Sequence, residues 1–93
     1  MMRERLPNRR PHVAFNFTHN DLIYHCTATR YADGRVAEIF LSTSKAGSTA
    51  QQHAESAAIL CSLALQSGVP SETIARSVGG PIAAALELAE ASE

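Results

Sequence analysis

The chain has no tryptophan, only two cysteines, and no apolar run near the roughly 18 residues that a membrane-spanning helix needs. Cys26 and Cys61 are too few and too far apart for a disulfide scaffold. No C-x-x-C or H-x-x-x-H spacing joins them to the four histidines as a metal site. His25 and Cys26 are neighbours on an expected strand, so their side chains point to opposite faces. An apolar leader is missing too, since the first residues carry Arg3, Arg5, Arg9 and Arg10. These absences predict a cytoplasmic protein with reduced thiols, no metal, no cofactor and no membrane segment. Net charge is only −1. The basic N-terminal residues lack the interleaved aromatics of a strong nucleic-acid footprint.

What is present fits one small globular domain. The 93 residues are 45% hydrophobic, enough for a single core between one layer of sheet and one of helices. Residues 1–11, with prolines at 7 and 11 and Arg9 and Arg10 between them, read as a basic extended arm. The domain proper is expected over residues 12–91.

Within it, hydrophobic periodicity separates strands from helices. His12 to Thr18 alternates, with Val13, Phe15 and Phe17 on one side. Leu22 to Tyr31 alternates again, with Leu22, Tyr24, Cys26 and Ala28 as the core side. Asp33-Gly34 marks a hairpin turn into a third strand, Val36 to Ser42. Ser48 or Thr49 begins the longest helix, each with glutamine three residues on as in a capping box, and Gly68 suits its end. Ala50, Ala54, Ala57, Ala58, Cys61, Ala64 and Leu65 make one apolar face of that helix. Ile59 and Leu63 fall on the other side, among Gln52, Glu55 and Gln66, and need a cover of their own. A helix from Pro70 or Ser71 with Ile74 and Val78, and a last one opened by Pro81, are candidates for that cover. The expected fold is α+β, a three-stranded antiparallel meander followed by one long and two shorter helices packed on one face, β-β-β-α-α-α.

Chemistry is thinner. Asp21 and Asp33 fall in turns and no serine sits in a G-x-S-x-G elbow, so no catalytic set assembles. The turn before the long helix is the one local site: Lys45, Gly47, Ser48 and Thr49, with unpaired N–H groups, suit phosphate, a nucleotide or a carboxylate. Capping is the competing use of the same residues. Ile59 and Leu63 are the candidate partner interface.

Several blocks in order, Leu6-Pro-Asn-Arg-Arg-Pro, Asp33-Gly-Arg-Val-Ala-Glu-Ile-Phe-Leu-Ser, Lys45-Ala-Gly-Ser, Cys61-Ser-Leu-Ala-Leu-Gln-Ser-Gly-Val-Pro and Gly80-Pro-Ile-Ala-Ala-Ala-Leu-Glu-Leu, resemble the TSCPD domain. That domain lies near the C-terminus of adenosylcobalamin-dependent (class II) ribonucleotide reductases. The resemblance implies an accessory module, and no catalytic residue carries over with it. The radical-forming barrel, the cobalamin site and the redox cysteine tail of a reductase do not fit within this chain. Where the family's name indicates Cys-Pro-Asp, this sequence reads Gly80-Pro81-Ile82. The leading expectation is therefore a binding or regulatory module whose partner is a reductase or a nucleotide-like anion, contacted through the Lys45 turn and the arginine arm. A homodimer closed over Ile59 and Leu63 is the alternative, and an enzyme acting alone ranks third.

Overall fold

The computed structural model describes residues 11–45 and 47–92. The elements follow in the expected order: β1 (His12–His19), β2 (Leu22–Arg30), β3 (Val36–Thr43), α1 (Thr49–Gln66), α2 (Ser71–Val78) and α3 (Gly80–Ala91). The sheet is an antiparallel meander, β1-β2-β3. The fold is α+β. The basic arm with Arg9 and Arg10 lies outside the described residues, apart from Pro11.

Local chemistry accounts for the boundaries. Asn20 and Asp21 both take positive φ, 50° and 65°, which makes the two-residue turn whose twist matches a β-hairpin. The second hairpin closes through Gly34 N–H on Tyr31 C=O and Tyr31 N–H on Arg35 C=O, with Gly34 at φ 95°. Arg35 stays at this turn, paired with Asp33 at 2.8 Å and lying over the Tyr31 ring. Helix α1 ends in a Schellman motif: Val69 N–H reaches Ala64 C=O, Gly68 N–H reaches Leu65 C=O, and Gly68 takes φ 96°.

The core lies between the sheet and the helices. Tyr24, Cys26, Ala28, Ile39 and Leu41 are buried against Ala54, Ala58 and Cys61 of α1 and Ile82, Ala85, Leu86 and Ala89 of α3. Side chains on the other face of the sheet, among them Asn16, Ile23, His25 and Phe40, are exposed. One residue of β3 breaks the alternation. Thr29 pairs with Glu38 but Arg30 with Val36, so Ala37 is bulged and both Val36 and Ala37 are buried.

Arg30 locks the last helix in place. Its guanidinium donates to the carbonyls of Ala89 and Ser92 at the C-terminal end of α3 and to Gly34 in the hairpin turn. A cation on the orphan carbonyls of a helix end satisfies both hydrogen bonding and the dipole. Nothing in the spacing of Arg30 along β2 announced this tie across the fold.

Candidate functional site

Helix α1 leaves β3 through a short turn and runs back along the free edge of that strand. Gln51 Oε1 accepts from Thr43 N–H at 2.7 Å. Ser62 Oγ accepts from Ile39 N–H at 2.9 Å and donates to Ile39 C=O at 3.1 Å. Gln66 donates to Ala37 C=O at 3.3 Å and is buried. The sequence reading placed Gln66 on the solvent side; its amide instead meets the Ala37 carbonyl at the free edge of β3. One turn of helix rises about 5.4 Å and two strand residues about 6.8 Å, so side chains at i and i+4 match alternate rungs. By that match Ala58, one turn before Ser62, faces Leu41. Having no polar side-chain atom, it leaves that rung without a side-chain partner.

Beside this seam lies a cleft of about 640 Å³. Phe40, Ile59 and Leu63 line it on the apolar side and His25, Glu38 and Glu55 on the polar side. Phe40 is 52% exposed, Ile59 62%, Leu63 40% and the neighbouring Leu60 68%. The two C-terminal helices do not cover them: α2 and α3 pack against each other and over the core, and Val78, expected to turn inward with Ile74, is itself exposed. Leu60 and Phe40 escaped the sequence reading. Leu60 lies three residues before Leu63 and so beside it on the helix surface, a signal that was available. Phe40 sits between buried Ile39 and Leu41, and strand alternation alone puts it outside.

The Lys45 turn has a different character. Ser48, not Thr49, is the N-cap: its hydroxyl accepts Gln51 N–H at 3.1 Å and donates to Lys45 C=O at 2.7 Å. Gln51 does not return to the Ser48 backbone as a capping box requires, because its side chain is used on Thr43 and Glu55. Lys45, Gly47 and Thr49 are exposed, and Gly47 takes φ 77°. The turn stands at the same end of α1 as Gln51, while Ile59 and Leu63 lie two to three turns further along. The structure therefore keeps the anion candidates and the apolar candidates apart.

Neither thiol is set up for chemistry. Burial pushes Cys26 up to about 12, with the charge of Cys61 adding to it, and burial alone pushes Cys61 up to about 11. Both are free and packed in the core, where they act as small apolar residues. Among the described residues no group of three or more His, Cys, Asp or Glu side chains is placed to hold a metal, and no helix is long and apolar enough to cross a membrane.

Comparison with known proteins gives the family. The TSCPD domain profile matches residues 4–84. A vitamin B12-dependent ribonucleotide reductase of Streptantibioticus cattleyicolor is 40% identical over 72 residues, which is 77% of this chain and 12% of that protein. The enzyme of the same name from Streptomyces clavuligerus is also 40% identical over 72 residues, 77% of this chain and 8% of that protein. That from Agrobacterium fabrum is 37% identical over 70 residues, 75% of this chain and 6% of that protein. The chain thus spans about a tenth of the length of these relatives or less. No solved structure matches. With a profile covering most of its length and with β3, the α1 turn and the α1 C-terminus all inside the match, the chain belongs to the TSCPD domain family.

Proposed function

We propose that this chain is a non-catalytic docking module of the TSCPD type, and that it binds a ribonucleotide reductase through the outer side of α1. The observation that carries the reading is the exposed apolar group of Phe40, Ile59 and Leu63 lining the cleft, with Leu60 exposed next to Ile59 on α1, uncovered by α2 and α3. Large exposed side chains grouped with a polar rim of His25, Glu38 and Glu55 have the composition of an interaction surface rather than of ordinary solvent-facing helix. The relatives support the choice of partner: the segment that resembles this chain is a minor part of a much larger reductase, so a surface left bare here has reductase polypeptide to meet there. The buried thiols and the occupied Ser48 hydroxyl support binding by shape over chemistry at either place.

Isothermal titration against a purified vitamin B12-dependent ribonucleotide reductase lacking its own TSCPD segment tests this. Binding by the wild-type chain, weakened at least about tenfold by Ile59→Lys or Leu63→Lys, is the expected result, since burying a charge in an apolar contact costs more than about 1.4 kcal/mol. No heat of binding from the folded wild-type chain, or equal binding by the lysine variants, would reject it.

A further inference from the structure

The opposite edge of the sheet carries a second inference. Arg30 N–H donates to Pro11 C=O, and the β1–β2 register runs without a shift from His12↔Thr29 to His19↔Leu22. Antiparallel strands alternate between residues that exchange hydrogen bonds and residues that do not. The Pro11–Arg30 pair therefore assigns the backbone groups of Val13, Phe15 and Phe17 to β2, and turns those of Ala14, Asn16 and Thr18 outward. Among the described residues these outward groups have no partner. Edge strands are ordinarily protected by lysine, an internal proline, a bulge or a covering element. β1 has no lysine, arginine or proline and no bulge.

We infer that the free edge of β1 pairs with the same edge of a second copy of this chain, joining two three-stranded sheets into one six-stranded antiparallel sheet. Two identical antiparallel strands are related by a two-fold axis, so one edge supplies both halves of the contact. The hydrogen-bonding parity permits a register in which Ala14 faces Asn16 of the second copy and Phe15 faces Phe15. Val13 then faces Phe17. These are aromatic and aromatic-to-β-branched pairs, the kinds that stabilise neighbouring strands. The same three side chains are only half-buried in one copy. Their aromatic row, Phe15 to Phe17 at 6.2 Å and Phe17 to Tyr24 at 5.5 Å, stops at the open edge. A second copy continues the row, and β1 brings no charge beyond its histidines to oppose itself.

Amide hydrogen exchange followed by NMR, with sedimentation velocity on the same samples, tests the pairing. The expected result is a dimer whose Ala14, Asn16 and Thr18 amides are protected increasingly with concentration. Ala14→Pro removes an outward N–H without touching the bonds to β2, and should raise the dimer dissociation constant at least about tenfold while the circular dichroism stays that of the folded chain. A monomer at millimolar concentration, outward amides that exchange freely or are protected regardless of concentration, or a dimer indifferent to folded Ala14→Pro would overturn the inference. If that variant does not fold, wild-type exchange decides alone. Ile59→Lys should leave the dimer intact, so failure of the reductase contact and failure of the β1 pairing are read separately.

Discussion

Along β3, Thr43, Ile39 and Ala37 each find a side chain of α1 waiting at the sheet edge, whereas along β1 the outward groups of Ala14, Asn16 and Thr18 meet nothing among the described residues. Connectivity explains the difference. The turn after Thr43 is short enough that α1 must run back beside the strand it has just left, and the near match of helical and strand repeats lets Gln51, Ser62 and Gln66 reach three of the four outward rungs from Thr43 to Ala37. β1 is followed by a hairpin and has no such neighbour among the described residues. The helix nearest it, α3, is anchored through Arg30 over the face of the sheet rather than along its edge. A sheet edge here is closed by side chains of the next element or is left for another strand to close.

Proline substitution gives the strongest test of that contrast. Val13→Pro deletes an N–H that bonds to β2 and should destabilise the fold by about 3 kcal/mol or more. Ala14→Pro, one residue on, should cost less than about 1 kcal/mol in a urea melt on protein dilute enough to be monomeric. Equal losses at the two positions would break the assignment of inward and outward groups. On the other edge, Ser62→Ala strips both backbone groups of Ile39 of their partner. The expected loss is about 2 kcal/mol, the cost of a part-buried donor and acceptor left unmatched; no change in melting would mean that water serves this edge as well as α1 does. The smallest effect sharpens the comparison. Ala58→Ser places a hydroxyl opposite Leu41, at the one rung that α1 passes without a polar side chain, and should stabilise by about 0.5–1 kcal/mol if that rung resembles the one at Ile39.

Much of the architecture was legible because it rests on local periodicity. The alternation of Val13, Phe15 and Phe17, the Asp33-Gly34 turn, the alanine face of α1 and Gly68 at its end each express one physical rule within a few residues, and the elements appear where those rules put them. The exposure of Ile59 and Leu63 was legible as a question and the structure answers that the later helices leave them bare. Gln66, Ser62 and Arg30 were not legible. Apart from the Gly34 carbonyl beside Arg30, their partners are backbone groups 23 to 62 positions away, and a backbone carbonyl has no sequence signature. Ser48 and Thr49 were equal candidates for the cap until the path of the chain left Ser48 extended, with its hydroxyl on Gln51 N–H.

By itself the sequence determined the order of elements and the sides of strands and helices that seek a core, because short-range hydrophobic spacing and turn chemistry act before the chain folds back on itself; membership of the TSCPD family came from the likeness of its sequence blocks. Only the tertiary structure decided which edge of the sheet is closed and which is open, which apolar side chains remain uncovered, and how α3 is held. Those outcomes depend on where a helix lies relative to a strand distant in sequence, and that position is set by packing and by backbone hydrogen bonds that leave no mark in the order of residues.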